Sequence, residues 1–556
     1  MTESLMLFTI GPVSFFINGS RKMRDLYSGS FLLAYITRQT ATYLKDQFKI
    51  EPQFPRKEQE LHIPNRIIAK VPYQDEACLT SIGNELEHYA QEKFREIWKA
   101  ILDNKGIEES AEMSAQIQQV IEIYWCFEKI APENDEGDTY GRLIKKMNSI
   151  KELRCFQQSN EAAKRKCSLY PGWNAIFYQS DKEEFAPAFF DKEKAVRIDA
   201  LSDLKDGEMI SAFAFMKRAL HELELIGYEQ EITSVTNTLT QYAVEKSSLT
   251  EVEKQNISKE VALFDQKGSS QILLDMQNGQ PLDEYLIEFH KSAKDIYRTF
   301  IMGNIRIPTY YAFIKFDGDS FGDIYKRISE EKQSILSGQI SEFSQKVKTV
   351  ITGYHGHCVF SGGEDFLGFV PVSELFPALK ELRTVFQDTT SPPMAGMQLT
   401  FSAGIAIAHI MEPLDDVLNK TMEMEQYAKE NNKDSLAIYI IKRSGEQLKW
   451  RAKFGDKEST IVSIENALAI CKSESIYSLI TRLSTLLIKL KAYEKPNKEE
   501  IVKTLILQAV DTVPNLNNRE GVITFLQEGY QLSKGSVEEY CKFLQVISFL
   551  AKEGMQ

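Results

Sequence analysis

The sequence has little of what would mark a secreted or membrane-spanning protein. Its 556 residues hold seven cysteines, an odd and scattered set that indicates a reducing compartment rather than a disulfide framework. No apolar run approaches the roughly 18–20 residues of a membrane span. The early apolar stretch LMLFTIGPVSFF is broken by Gly11 and Pro12 and has no basic segment before it, so it predicts a strand and a helix start, not a signal peptide. We therefore expect a cytoplasmic protein without membrane contact.

The sequence also lacks an excess of positive charge. Lysine and arginine number 66 against 79 aspartate and glutamate, which gives a net charge of −13. An acidic chain does not bind nucleic acid by bulk attraction, so any RNA contact requires a local patch or a partner subunit. The length is too great for one core and indicates three or four domains.

Hydrophobic periodicity divides the chain into four regions. Residues 1–140 alternate strands and helices and predict an α/β unit. Residues 141–300 begin with a loop-rich, basic segment and continue as helices. Residues 301–445 have the order βαββαβαβ, which contains the ferredoxin-like βαββαβ core. Residues 446–556 are predicted to be helical. Sequence identity between the first and third regions is too low to show that they share a fold.

Acidic residues follow two strands of the third region. The strand YYAFIKF runs into the segment DGDSFGD, and the hairpin FSGGEDFLGF carries two more acids. In a βαββαβ sheet the first strand lies beside this hairpin, so we expect Asp317, Asp319, Glu364 and Asp365 to gather at one edge. Such clustered carboxylates repel, and a hard divalent cation, Mg²⁺ or Mn²⁺, relieves the repulsion. Two such ions serve nucleotidyl transfer.

Other residues near this edge suit a nucleotide. Gly362 and Gly363 permit a tight turn and close approach to the backbone. The segment GDSFGD offers backbone N–H groups near a helix start, which suits phosphates. Lys433 is the candidate contact for a triphosphate. The alternatives are an ordinary hairpin turn at Gly362–Asp365 and a solvated surface charge at Lys433.

Several stretches resemble one known family in the right order along nearly the whole chain. They are FTIGPVSFFINGSRKMRDLYSGSFLLAYI, IPNRIIAKVP, IYWCFEKI, KRKCSLYPG, SAFAFMKRAL, FDGDSFGD, FSGGEDFLGF and LAIYIIKRSGE. Together they resemble the large palm-domain subunit of type III CRISPR effector complexes, of the Cmr type. The sequence is thus similar to that family at many separate points, which is more specific than any single motif.

The resemblance implies a fold and a function. The fold is α+β multidomain, with two ferredoxin-like palm domains, a helical domain containing a degenerate zinc finger between them, and an α-helical C-terminal domain. The function is that of a nucleotidyltransferase subunit, activated when target RNA pairs with CRISPR RNA, that uses ATP to make a second messenger. That messenger is a cyclic oligoadenylate, or AMP joined to S-adenosylmethionine. The other effector subunits and both RNAs are the implied partners.

The resemblance also implies roles for individual residues. Asp317, Glu364 and Asp365 are the implied catalytic residues and metal ligands. The nucleotide is expected to contact Gly318, Asp319, Ser320, Phe321, Gly322, Ser361, Gly362, Gly363 and Lys433. The first palm lacks an acidic pair, so it is expected to be an acceptor-side or structural partner. Its cluster SRKMRD is expected to face ligand or CRISPR RNA, or to form surface ion pairs.

The sequence departs from the family pattern at three places. It contains no His-Asp dipeptide and starts at the first palm, so we expect no HD nuclease activity. Only Cys155 and Cys167 remain where the family has Cys-x-x-Cys, too few for structural zinc, so a zinc-free remnant packed by Tyr170 and Trp173 is expected. The usual Gly-Gly-Asp-Asp is Gly-Gly-Glu-Asp, and Glu364 has a longer arm that alters the geometry.

Two competing functions stay open at this point. One is a catalytically degenerate scaffold subunit, against which the four clustered acids argue. The other is a diguanylate cyclase, whose motif has glutamate where this chain has Asp365. The sequence leaves open the acceptor nucleotide, the product and the downstream effector.

Overall fold

The structure consists of two large sheets, a small third sheet, and helices that cover them. This computed structural model describes residues 3–55, 63–73, 75–130, 136–153, 161, 164–179, 196–198, 204, 207–228, 232–266, 270–280, 290–325, 327–391, 398–490 and 497–554. None of the helices in these ranges is long and apolar enough to cross a membrane.

The first sheet belongs to a βαββαβ unit at the start of the chain. Its elements are β1 (Ser4–Gly11), α1 (Val13–Ile17), α2 (Met23–Phe48), β2 (Pro52–Phe54), β3 (Arg66–Val71), α3 (Glu76–Lys105), α4 (Ala111–Val120), β4 (Glu122–Lys129) and α5 (Glu136–Glu152). The strands are antiparallel in the order β2-β3-β1-β4. This is the ferredoxin-like order, so the predicted α/β unit is observed.

Helix α5 extends the first unit beyond its predicted end at residue 140. Leu143 and Met147 of α5 are buried against Leu5 and Cys126 of the sheet. The amphipathic pattern of this helix covers the sheet face opposite to α2 and α3. The boundary between residues 140 and 141 was therefore wrong, because it falls inside a helix that belongs to the first core.

The middle region joins a small sheet to a group of helices. Its elements are β5 (Phe177–Tyr178), β6 (Val196–Arg197), β7 (Met209–Ile210), α6 (Ala212–Ala219), α7 (Val235–Glu245), α8 (Glu251–Gln266), α9 (Ile272–Gln277) and α10 (His290–Met302). Helix α6 is buried along its whole length and packs against α2 and α4. The middle region therefore shares a core with the first unit.

The second sheet forms the larger unit. Its elements are β8 (Tyr310–Gly318), α11 (Phe321–Tyr325), α12 (Glu330–Gly353), β9 (His357–Gly362), β10 (Asp365–Pro371), α13 (Leu375–Thr389), β11 (Phe401–His409), α14 (Leu414–Lys429), β12 (Ser435–Ile441) and β13 (Gln447–Lys453). The order is β13-β12-β11-β8-β10-β9. Its part β11-β8-β10-β9 repeats the order β4-β1-β3-β2, so both sheets have the same ferredoxin-like topology.

Strand β13 corrects the prediction that residues 446–556 are entirely helical. After the exposed Gln447 its residues alternate between buried and half-buried, and it pairs antiparallel with β12 from Ser435↔Lys453 to Ile441↔Gln447. The alternation of QLKWRAK is the period-2 pattern of a strand with one covered face. Helices follow it as predicted: α15 (Ser459–Glu474), α16 (Tyr477–Ile488), α17 (Lys498–Asp511), α18 (Arg519–Leu532) and α19 (Val537–Phe549).

The central strand β8 is buried on both faces and ends at the candidate site. Ala312, Ile314 and Phe316 enter the core shared with α12, α13 and the C-terminal helices. Phe313 enters the core shared with the first unit. Because side chains alternate along a strand, Asp317 lies on the same face as Phe313, which α14 helps to cover.

Candidate functional site

The two aspartates of the site meet where β8 ends and β10 begins. Phe366 of β10 is paired with Phe316 of β8, so one further step of the antiparallel register places Asp365 beside Asp317. Their carboxyl groups are close enough for each to shift the pKa of the other. The predicted proximity of the segment FDGD to the hairpin is therefore observed. We call Asp317, Glu364 and Asp365 the acidic corner.

Burial and mutual charge set the protonation of this pair. Burial raises the pKa of Asp365 well above its usual value, and the hydrogen bond and charge of Asp317 raise it further. Burial also acts to raise the pKa of Asp317, but the hydrogen bond from Asp365 and the charge of Lys429 outweigh burial and lower it. Asp365 is thus the weaker acid of the pair, and Asp317 is the stronger one.

Lys429, at the last turn of α14, is the cation of the acidic corner. Its ammonium group pairs with Oδ2 of Asp317 and lies 2.6 Å from Oε1 of Glu425, one turn earlier. Lys315 of β8 lies 3.0 Å from Oε2 of the same glutamate. Burial alone lowers the pKa of Lys429, but the charges and hydrogen bonds of Asp317 and Glu425 together outweigh burial and raise it.

Glu364 lies between the aspartate pair and the first unit, and it interacts with charges of both. Burial raises its pKa, and Asp317 adds to this effect, while Arg66 at the start of β3 lowers it. Both Glu364 and Arg66 also act on the Tyr140 hydroxyl of α5. The hairpin therefore lies against the first unit, and the residue that departs from the family motif is the one at this contact.

Two glycines allow the two segments of the corner to approach closely. A Cβ at Gly318 would lie 2.3 Å from the ring of Phe321 and 2.8 Å from Cβ of Glu364. Gly363 has φ +65°, a left-handed conformation that a glycine adopts without strain. Gly362 is packed against the ring of Phe360. The glycines thus serve the turn and the close packing, as predicted from their positions.

Asp319 is held by donors of the chain itself. One carboxylate oxygen accepts from Oγ1 of Thr400 at 2.8 Å and from the backbone N–H of Asp434 at 2.9 Å. The other accepts from Oγ of Ser402 at 2.8 Å. Three donors stabilise a buried carboxylate strongly. Asp319 therefore fastens the end of β8 to β11 and to the segment before β12.

Ser361 and Phe321 also make internal contacts. The Ser361 hydroxyl donates to the backbone oxygen of Ser344 at 2.9 Å, and the two hydroxyl groups lie 3.1 Å apart. The Phe321 ring is buried against Gly318 and the ring of Phe386. Gly322 is exposed. The expected nucleotide contacts at these positions stay predictions, and the structure gives Ser361 and Phe321 a packing role.

Lys433 reaches the loop after β8, as its predicted role requires. Its ammonium donates to Oγ of Ser320 at 2.5 Å. Ser320 has φ +63°, and Asn432, Lys433 and Asp434 have φ values of 59°, 60° and 43°. Left-handed backbone costs roughly 1–2 kcal/mol per ordinary residue, so both segments require support from their surroundings. We call Asn432–Asp434 the left-handed turn.

The donor set at the corner fits a cation that arrives with a nucleotide. Within the described residues, no group of three or more His, Cys, Asp or Glu side chains is arranged to hold a metal ion. Asp317 and Asp365 are a hard oxygen pair. Mg²⁺ commonly uses one or two carboxylates and completes its coordination with substrate phosphates. The pair fits that use, whereas Glu364 is not brought into a three-carboxylate cluster with them.

Ile10 and Asn65, the described residues at the equivalent corner of the first sheet, carry no carboxylate. There, Asn65 donates to the backbone oxygen of Ile10 at 2.6 Å. The basic cluster of the first unit is partly internal: Asp25 is buried and paired with Arg218 at 2.8 Å. The backbone N–H of Ser20 donates to Oδ1 of Asp415 on α14 at 3.0 Å. The cluster thus connects the first unit to the middle region and to the second unit.

The remnant-finger segment is packed by aromatic residues. Tyr170 stacks on Phe15 with ring centroids 4.6 Å apart, and Trp173 lies 5.9 Å from the same ring. Sγ of Cys167 accepts the backbone N–H groups of Leu169 and Tyr170 at 3.4 and 3.3 Å. Cys155 lies outside the described residues. The absence of zinc stays a prediction, while the predicted packing by Tyr170 and Trp173 is observed.

The sequence did not lead us to predict that Lys429, Glu425 and Arg66 lie at the site. A signal existed for the first two. Lys315 interrupts an apolar strand, which indicates a buried acidic partner, and Glu425 and Lys429 have the i, i+4 spacing of one helix face. Arg66 gave no signal, because its approach to Glu364 depends on how the two units pack.

Comparison with known proteins shows which class of protein the chain is similar to. A family model described as "Cas10/Cmr2, second palm domain" matches residues 310–437, which contain the acidic corner. The second unit is therefore a palm domain. A model described as "CRISPR-associated protein Cmr2, N-terminal" matches residues 5–103 of the first unit.

A curated relative carries the comparison further. "CRISPR system Cmr subunit Cmr2" of Pyrococcus furiosus is 29% identical over 169 residues, which are 25% of this chain and 19% of the relative. The matched part thus spans about a fifth of that relative. Together with the two family models, this match confirms the resemblance of the chain to Cmr2-type subunits.

Solved structures support the fold over the whole chain. The chain is similar to a subunit of type III-B Cmr-beta in its apo state, with TM-score 0.66 and 13% identity, over 99% of this chain and 82% of that one. It is also similar to a chain of the Csm1–Csm4 cassette in complex with cA4, with TM-score 0.51 and 10% identity, over 99% and 70%. At these identities the likeness shows the fold alone.

Proposed function

We propose that the second unit binds ATP with Mg²⁺ or Mn²⁺ and transfers a nucleotidyl group, as part of an RNA-guided type III CRISPR effector complex. The observation that carries the proposal is the neighbouring pair Asp317–Asp365, which follows the glycine hairpin on β10 and precedes the Lys433–Ser320 contact on β8. Two paired, half-buried carboxyl groups with shifted pKa values are typical of a functional site.

Each residue of the corner has a role in this reaction. Asp317 and Asp365 would hold the cation, which supplies charge neutralisation at the phosphates when bound. Lys433 and Ser320 lie where the triphosphate would extend, and Lys433 would bind its terminal phosphates. Lys429 keeps Asp317 ionised, so that one carboxylate is available before the nucleotide arrives. Gly363 leaves room for the nucleotide beside the backbone, while Gly318 lets the loop after β8 pack closely on the hairpin.

The product and partners are part of the same proposal. The Csm1–Csm4 cassette was solved in complex with cA4, and a type III-B Cmr-beta structure was solved bound to cognate target RNA. By analogy, the product here is a cyclic oligoadenylate, or AMP joined to S-adenosylmethionine. The partners are other effector subunits, CRISPR RNA and target RNA. Because the chain is acidic, the RNA contact runs mainly through the complex.

A scaffold subunit with a degenerate palm is the second candidate. In its favour, Glu364 is not part of a three-carboxylate group in the described residues. Against it, Asp365 stays buried beside Asp317 at an electrostatic cost that a scaffold has no reason to retain. A diguanylate cyclase is less well supported, because its motif has glutamate at the position of Asp365.

The test uses the assembled complex with CRISPR RNA. Labelled ATP and Mg²⁺ or Mn²⁺ are added with and without target RNA and S-adenosylmethionine, and products are separated by chromatography. We expect a new nucleotide product only with target RNA. Asp365→Asn should abolish it while assembly is unchanged, and the exposed Asp388→Asn is the matched control. Absence of any product with the unmodified chain would support the scaffold instead.

A further inference from the structure

The left-handed turn Asn432–Asp434 is supported by the end of β13. The Lys453 ammonium donates to the backbone oxygens of Asn432 at 2.7 Å and of Lys433 at 2.6 Å. The backbone N–H of Phe454 donates to the oxygen of Asp434 at 3.1 Å. Three successive carbonyl groups of the turn are therefore held from one side, by two adjacent residues.

The position of Lys453 follows from strand register. The pairing of β12 with β13 begins at Ser435↔Lys453, directly after the turn. Lys453 therefore lies against the turn whenever β13 is paired. Ser435 adds a hydrogen bond from its hydroxyl to the Lys433 oxygen at 2.6 Å.

The opposite side of the left-handed turn faces the loop after β8. The backbone N–H of Asp434 donates to Asp319, and the Asp434 carboxylate pairs with the buried Arg383 at 2.7 Å. With its backbone fixed in this way, Lys433 is directed toward Ser320. An ordinary residue such as lysine does not adopt φ near 60° without such support.

We propose that Lys453 is a positioning residue that holds the left-handed turn so that Lys433 meets the phosphates of the nucleotide. Lys453 itself does not touch the nucleotide. The inference rests on the proposed function and deepens it. It also gives β13, which lies beyond the stretch matched by the palm model, a part in the binding site.

Binding of an ATP analogue tests this role without requiring turnover. The full chain is titrated calorimetrically with α,β-methylene-ATP and Mg²⁺, and separately with adenosine. We expect Lys453→Met to weaken binding of the analogue about tenfold, because a charged phosphate contact is lost. Adenosine binding should be unchanged, since adenosine carries no phosphate. Ser435→Ala is a milder change at the same turn. It should weaken binding of the analogue to a smaller extent and leave adenosine binding unchanged.

Two comparisons separate positioning from general structural damage. Lys449→Met is the matched control, because Lys449 lies on the same face of β13 and pairs with Glu423 at 3.0 Å, away from the turn; it should bind normally. Lys453→Arg should recover most of the affinity, since a guanidinium can donate to both carbonyl groups.

A double-mutant cycle shows whether Lys453 acts through Lys433. If it does, Lys433→Met with Lys453→Met should bind the analogue no more weakly than Lys433→Met alone. Additive losses, equal weakening of adenosine, or normal affinity of Lys453→Met would each overturn the inference. A different result, in which the unmodified chain binds no analogue, would overturn the proposed function itself.

Discussion

Lys429 of α14 and Asp317 of β8 form an ion pair across 112 positions of the sequence. Because Lys429 also pairs with Glu425, its ammonium joins the helix to the end of the central strand. The aspartate it neutralises is the ionised member of the Asp317–Asp365 pair. The same contact therefore joins α14 to the sheet and lowers the pKa of Asp317.

Lys429→Met should lower the free energy of unfolding by about 2 kcal/mol at pH 7, because a largely buried carboxylate loses its cation. The hydrogen bond from Asp365 and the charge of Lys429 outweigh burial and lower the folded-state pKa of Asp317. The stability from this pair is therefore present above the unfolded pKa of about 3.9 and lost as pH falls through the folded value. The difference between variant and unmodified chain should shrink below about pH 4.

Chemical denaturation at a series of pH values measures this difference. Lys420→Met is the matched control on the same helix, since Lys420 forms a surface pair with Glu423 at 2.9 Å. The control should cost less than about 0.5 kcal/mol at every pH. Equal losses of unfolding free energy in the two variants would mean that the contact with Asp317 contributes no more than a surface ion pair.

Glu364→Gln should retain product formation within about tenfold of the unmodified complex, because the described residues contain no three-carboxylate metal group that includes Glu364. Asp317→Asn, by contrast, should reduce it at least about 100-fold, since a carboxylate that holds the cation is removed. The measurement is the rate of labelled product in the target-activated complex. A loss with Glu364→Gln as large as with Asp317→Asn would place Glu364 among the metal ligands.

The strand order of the second unit could be predicted because its signals are local. Gly362–Asp365 marks the hairpin, and apolar runs bound it on both sides. The strand β13 was missed, and its residues were assigned to the helical region, because three of the seven residues of QLKWRAK are charged and their partner strand β12 is not visible in the local pattern. Lys429 could not be assigned, because its partner lies on a distant strand. The residues that form a turn are close together in the sequence, whereas the partners in an ion pair depend on how distant elements pack.

The first unit illustrates the same limit. Its three-residue strand β2 is too short for periodicity to indicate, so the topology shared with the second unit was not visible in the sequence. Likewise, Asp319 looked equivalent to Asp317, two residues earlier. Its actual partners, Thr400, Ser402 and the N–H of Asp434, come from elements about 80 to 115 positions away.

Gly318→Ala should lower the free energy of unfolding by about 2 kcal/mol and weaken binding of ATP with Mg²⁺. The added methyl group would overlap the Phe321 ring and Cβ of Glu364, which forces the loop and the hairpin apart. Gly338→Ala in α12 is the matched control, because nothing lies within 4 Å of a Cβ there. Thermal unfolding and calorimetric titration test both. Normal ATP binding by Gly318→Ala would show that this close approach does not shape the site.

Asp319→Asn should lower the free energy of unfolding by about 2 kcal/mol, because its amide group would face donors that the carboxylate now accepts. This loss of unfolding free energy should be the same with and without Mn²⁺, because the Asp319 carboxylate accepts its hydrogen bonds from groups of the chain itself. Asp317→Asn should behave in the opposite way and lose the stability that Mn²⁺ and ATP add to the unmodified chain. Melting temperatures of both variants, with and without these ligands, provide the comparison. If Asp319→Asn instead removed the Mn²⁺-dependent gain, Asp319 would be a metal ligand and the acidic corner would extend along the loop after β8.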